Sequence, residues 1–176
     1  MALIVFPKPV RGHHLPVLNR PSQAQLDAGN YAKERRSFQG LPVTIENPRG
    51  SIRSGVDRGG NAWSTSMRHD YGYVRGTLGV DGDAFDVYLG PDSTADTAYI
   101  VTTMAPPAFT RTDEQKAMLG FPTEDAAREA FLQHYDNPKF MGAVTAMPME
   151  RFKQLLDTTR DKPRLLKAMV LLPAPR

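Results

Sequence analysis

From Leu41 to Thr103 the apolar residues of this chain come in short runs, each cut off by Gly, Pro, Asp or Asn. A helix of ordinary length does not fit between such breaks, so the middle of the chain must fold as short strands joined by turns. The runs predict strands over 43–45, 51–53, 71–77, 85–89 and 98–103, a turn at Asp57-Arg58-Gly59-Gly60, and a stop at Pro106 and Pro107. Helical spacing is confined to the flanks. Residues 22–38 read as a short polar helix capped by Ser22, with Gly29 and Asn30 against it. Residues 124–135 bring Ala126, Ala127, Ala130, Phe131 and His134 to one side behind two acids, and 148–156 turn Phe152, Leu155 and Leu156 inward behind Pro148. The expected fold is mainly β with flanking helices, an α+β arrangement around a small closed five-stranded barrel of OB-like type.

A chain of 176 residues suffices for one domain. Pro7, Pro9, Pro16 and Pro21 disfavour regular structure at the start, which predicts an N-terminal arm and short helix over 1–40, a barrel domain over 41–157 and a C-terminal arm over 158–176. The arms are the expected route to self-association or to an assembly partner. The longest apolar run, near Leu171, is well below the roughly 18 residues of a membrane span, and the expected location is the cytoplasm. The absence of cysteine removes disulfides, thiolate metal sites and cysteine nucleophiles, so any catalysis must use oxygen and nitrogen groups.

The formal net charge of +3 is unevenly spread. Residues 1–60 carry nine Lys/Arg against four Asp/Glu, 61–120 carry four against eight, and 121–176 carry nine against seven. An acidic centre within basic flanks suits carboxylates that hold a metal inside a ring of cations that hold an anion. Nucleic acid is not an expected partner, because Arg35-Arg36 reads as a solvated face and Trp63 as core or rim.

The acids of the centre lie in Tyr71-Gly72-Tyr73 followed by Asp81-Gly82-Asp83-Ala84-Phe85-Asp86-Val87. Asp81-Gly82 alone is a hairpin turn signal. Three carboxylates within six residues of apolar strand sequence repel one another, and a divalent cation relieves that cost. The spacing fails the calcium-loop pattern, with Phe85 at the fifth position and Asp86 at the sixth. Oxygen ligands without local His or Cys favour Mg²⁺, with Mn²⁺ as a substitute, and Mg²⁺ commonly works beside phosphate. On strand parity Asp81 and Asp83 share a face that Asp86 opposes, so convergence requires a turn, which Gly82 can supply. Gly50 and Gly55 have the spacing of a phosphate loop but continue into Val56, which excludes one.

These segments resemble the soluble family I inorganic pyrophosphatases, including the compact domains of this type encoded by bacteriophages and mobile elements. The similarity runs over about residues 42–157 and includes Thr44-Ile45-Glu46-Asn47-Pro48 upstream and Ala130-Phe131-Leu132-Gln133-His134-Tyr135 downstream. It implies Mg²⁺-dependent hydrolysis of pyrophosphate by a metal-activated water. It further implies metal binding by Asp81, Asp83, Asp86 and Asp113, catalytic roles for Asp83, Tyr71 and Glu46, and phosphate binding by Arg53, Lys116, Tyr135 and Lys139. Ala84, Gly55 and Asp136 depart from the family pattern. These departures leave open a rival, a weakened pyrophosphatase-like module that binds or assembles, in a phage particle for example, through its arms.

Overall fold

The computed structural model describes residues 21–29, 31–57 and 59–160. Residues 1–20 of the predicted N-terminal arm and 161–176 of the predicted C-terminal arm lie outside the described residues. Nine strands and three α-helices follow in the order α1 (Gln23–Asp27), β1 (Glu34–Phe38), β2 (Leu41–Asn47), β3 (Ile52–Val56), β4 (Ala62–Ser66), β5 (Asp70–Val74), β6 (Asp86–Leu89), β7 (Thr97–Met104), β8 (Thr112–Leu119), α2 (Glu124–Leu132), β9 (Met141–Pro148) and α3 (Met149–Asp157). The fold is mainly β, as expected, but the closed five-stranded barrel does not form. Seven strands make one sheet in the order β1-β2-β5-β6-β8-β7-β9, and β3 and β4 form a separate two-stranded ribbon.

The difference arises at strands whose sequences do not look like strands. Ser22 caps α1 as predicted, its hydroxyl accepting from the Gln25 amide at 3.3 Å while the Gln25 side chain accepts from the Ser22 amide at 2.9 Å. The helix ends at Asp27, however, and 34–38 pair with β2 as an edge strand. Residues 141–148, where no strand is predicted, form β9, and Met147 in it is buried.

Side-chain alternation divides the core between the two faces of the sheet. Val43, Ile45, Val87, Ile100 and Leu119 pack with Phe152, Leu155 and Leu156 of α3. Tyr71, Tyr88, Val101 and Met118 pack with Ala127, Ala130 and Phe131 of α2. Both helices therefore present the faces read from their spacing. Phe131 and Phe152 are fully buried, and each such burial stabilises by about 1.5–3 kcal/mol.

One row of residues crosses the whole sheet. Arg35 is in register with Thr44, Thr44 with Tyr73, Tyr73 with Asp86, Asp86 with Lys116, Lys116 with Val101, and Val101 with Val144. The row lies on the α2 face, because its neighbours along each strand, such as Val43 and Val87, belong to the α3 face. It is polar at the β1 side and apolar at the β9 side. The chemistry of the molecule sits where the two meet.

Candidate active site

Tyr71-Gly72-Tyr73 forms most of β5 because Gly72 must be glycine. A Cβ at this position would lie 1.9 Å from the Thr44 carbonyl oxygen, so the bare backbone lets β2 approach. The β2–β5 register shifts between Ile45 and Asn47, at Glu46. With β2 this close, Tyr71 and Tyr73 both face the α2 side, one beside Tyr88 and the other beside Asp86.

Lys116 is the centre of the site. It is only 2 % exposed, and its Nζ lies 2.5 Å from Asp86 Oδ2 and 2.7 Å from Glu114 Oε1. Nζ also donates to the Tyr71 phenol oxygen at 3.1 Å, and that phenol donates to Asp86. Burial drives the Lys116 pKa down, but Tyr71, Tyr135, Asp86 and Glu114 outweigh it and hold the ammonium well above its ordinary range. Burial raises Tyr71, so the phenol stays protonated and remains a donor. Glu114 is likewise raised by burial, against the pull of Lys116 and with Asp86 and Asp81 adding to the rise. These acids lie within one another's field.

Arg53 enters from the β3–β4 ribbon. Its guanidinium lies 4.6 Å from the Tyr71 ring centre and 5.3 Å from that of Trp63. Burial disfavours its charge, but Tyr71, Tyr88, Tyr135 and Asp86 more than compensate, and its pKa rises. Gly55 explains one departure from the family pattern: a Cβ there would come within 2.7 Å of the Trp63 ring. Tyr135 closes the site just beyond α2, stacked on Phe131 at 4.4 Å; burial raises its pKa against the pull of Lys116 and Arg53, with Tyr71 and Glu114 adding to the rise.

His134 supports this wall. Nε2 accepts from the Arg68 amide at 3.0 Å, which leaves Nδ1 to donate to the Ala130 carbonyl at 2.7 Å. Its ring lies 4.7 Å from that of Tyr88, and burial lowers its pKa to about 4. Asp70 ties the strand end, accepting from the Arg49 amide and from Arg36, each at 2.7 Å, while the His69 ring lies 5.1 Å from that of Phe121 and 5.9 Å from that of His134.

The structure thus brings together Tyr71, Asp86, Lys116, Arg53 and Tyr135. Asp81 and Asp83 lie exposed in the turn before β6, where Gly82 has φ +91° and Asp81 accepts from the Asp83 amide at 3.2 Å. The required turn exists, yet no group of three acids or histidines converges on a metal position among the described residues. Glu46 pairs with Lys33 and takes a hydrogen bond from Tyr31 on its carbonyl. Lys139 is exposed in a 3₁₀ turn. Asp113 is exposed too, and the next residue, Glu114, is the acid that faces Lys116. Glu114 was missed, although its alternation with Lys116 along β8 puts both on one face and was readable once β8 was known to be a strand.

The donor chemistry fits Mg²⁺ or Mn²⁺ in kind: carboxylate oxygens, with Asp86 and Glu114 already sharing one cation and Asp81 near enough to raise Glu114. No helix among the described residues is long and apolar enough to cross a membrane.

No curated protein matches the chain. Among solved structures, a crystal structure of an inorganic pyrophosphatase from Neisseria gonorrhoeae is similar at 17 % identity and a TM-score of 0.41, over 69 % of this chain and 90 % of that one. A likeness at that score carries no argument. The family model for Inorganic Pyrophosphatase matches residues 23–157, most of the chain and all of its described helices and strands. By that match the chain belongs to the inorganic pyrophosphatase family.

Proposed function

We propose that this protein hydrolyses inorganic pyrophosphate to two phosphates with Mg²⁺, Mn²⁺ being able to substitute. The observation that carries the proposal is the buried Lys116 ammonium, held by two carboxylates and a phenol beneath the Arg53 guanidinium. If Asp86 and Glu114 turn to a divalent metal, Lys116 and Arg53 are left to a multiply charged anion, and charge stabilisation of this kind does most of the work in phosphoryl transfer.

Asp81, Asp83, Asp86 and Glu114 would hold the metal. When bound, Mg²⁺ supplies a water acidic enough to attack near neutral pH. Asp83, exposed in the turn before β6, would take a proton from the attacking water. Arg53 would hold phosphoryl oxygens, and Lys116 would join it once Asp86 or Glu114 turns to the metal, both stabilising the charge that collects on the departing phosphate. Tyr135, kept protonated by burial, would donate to the same oxygens, while the Tyr71 phenol, whose proton goes to Asp86, holds Asp86 and Lys116 in place and helps keep bulk water off the Lys116 side. One P–O bond forms to water and the bridging P–O bond breaks, with both water protons passing to the products or to solvent.

Phosphate release from pyrophosphate tests the proposal, with Mg²⁺, with chelator, and in Asp83→Asn. Turnover that requires metal and falls at least about 100-fold in the variant is expected, in the range typical of a lost acid–base group. No turnover with any of several divalent metals overturns it.

A further inference from the structure

On the same sheet face as Lys116, but on its β1 side, lies a cavity of about 410 Å³ lined by Ala32, Lys33, Arg35, Thr44, Tyr73 and Arg75. Three of the six residues are cations. Lys33 is neutralised by Glu46 and lies 5.6 Å from the Tyr73 ring centre. Arg35 and Arg75 have no ion-pair partner among the described residues. Among the described residues the Arg75 side chain makes only long hydrogen bonds, 3.5 Å to the Val43 carbonyl and 3.4 Å to the Thr44 hydroxyl. Two unmatched guanidiniums facing one concavity repel each other, and an anion removes that cost.

The position of the cavity says which anion. Its floor residues Thr44 and Tyr73 belong to the cross-sheet row, with Tyr73 one strand and Thr44 two strands from Asp86. At strand spacings of about 4.8 Å, its centre is about 5–10 Å from Asp86. Pyrophosphate held at Lys116 and Arg53 would not fill that distance, whereas a longer phosphoanhydride chain would lie along it. We infer that the Lys33–Arg35–Arg75 cavity is a subsite for a further phosphoryl group, so that the protein accepts phosphoanhydrides longer than pyrophosphate. This rests on the phosphoanhydride reading of the Lys116 site. For tripolyphosphate the reaction balances as water adding to one terminal phosphorus, cleavage of its bridging bond, and release of phosphate and pyrophosphate.

Binding and turnover are tested separately. Calorimetric titration of the full chain with pyrophosphate, tripolyphosphate and ATP, in chelator to stop metal-dependent hydrolysis, reads the subsite directly. Tripolyphosphate should bind at least about tenfold tighter than pyrophosphate, equivalent to about 1.4 kcal/mol. Arg35→Gln, at an exposed position, should reduce that preference, and Arg35→Gln/Arg75→Gln should abolish it while pyrophosphate affinity stays within about twofold. If ATP shares the preference, the subsite reads the phosphate chain wherever it ends; if only tripolyphosphate does, it requires a terminal phosphate. Equal affinity for the three anions in the unmodified protein, or equal weakening of all by the double variant, overturns the inference. Neither result depends on turnover, so failure of the hydrolase reading shows separately, as absent phosphate release with Mg²⁺.

Discussion

Lys116 combines two roles that pull against each other. A buried ion pair gains little net stability, but removing one partner strands the other. Lys116→Met should destabilise the protein by about 2–3 kcal/mol, below the ~3–5 kcal/mol of fully buried pairs because Asp86 and Glu114 keep 19 % and 25 % of their side-chain surface. Urea denaturation measures this, and a change below about 0.5 kcal/mol would show that the cluster is not structurally coupled. His134 gives a second prediction at this scale. Its pKa is lowered from 6.5 to about 4, so between those values the unfolded chain binds the extra proton and stability falls as pH drops. The loss should approach about 3 kcal/mol at pH 4, and His134→Gln should flatten that part of the stability–pH curve. Residue identities were also where the sequence was most legible. Asp86, Tyr71, Lys116, Arg53 and Tyr135 were all named and do come together. Glu114 was not, because Asp113 beside it is also acidic and only strand phase separates them.

Among elements, legibility followed burial. The central strands β2, β5, β6 and β7 carry β-branched or aromatic residues on buried faces and were read from them. Edge strand β1, Glu-Arg-Arg-Ser-Phe, has no such face, and its polar alternation passes for a solvated helix. Strand β8 opens with Thr-Asp-Glu-Gln-Lys, whose charges belong to the site and conceal a strand that is buried from Gln115 onward. The five-strand expectation failed through these omissions and through counting the β3 ribbon in the main sheet. The glycine of Tyr-Gly-Tyr was read as part of a motif, while its reason is the approach of β2. Gly72→Ala should therefore cost about 3 kcal/mol through overpacking against backbone that cannot rotate away. A thermal melt of the variant checks this, and an unshifted midpoint would mean that β2 and β5 can separate without loss.

For the molecule as a whole, the acidic centre is visible as charge, whereas its distribution between an exposed turn and a half-buried pair depends on tertiary packing that no local pattern carries. Metal should pull the two together. If Mg²⁺ binds the native state alone, a concentration of 100 times Kd adds about 2.7 kcal/mol, and the melting temperature should rise accordingly. Absence of a shift at millimolar Mg²⁺ would count against a metal role for these acids. The sheet also has a seam. Its one parallel pairing, β6 with β8, joins a block of β1, β2, β5 and β6 to a block of β8, β7 and β9, and every other adjacent pair is antiparallel. Asp86 and Lys116 are partners across that seam, 30 residues apart in the chain. Each block can zip up from its own neighbouring strands, but the site exists only after the two dock in register, a non-local step and hence a slow one. During refolding, catalytic competence should then be the last property to return, trailing backbone structure, so that enzyme activity serves as a clock for the closing of the seam.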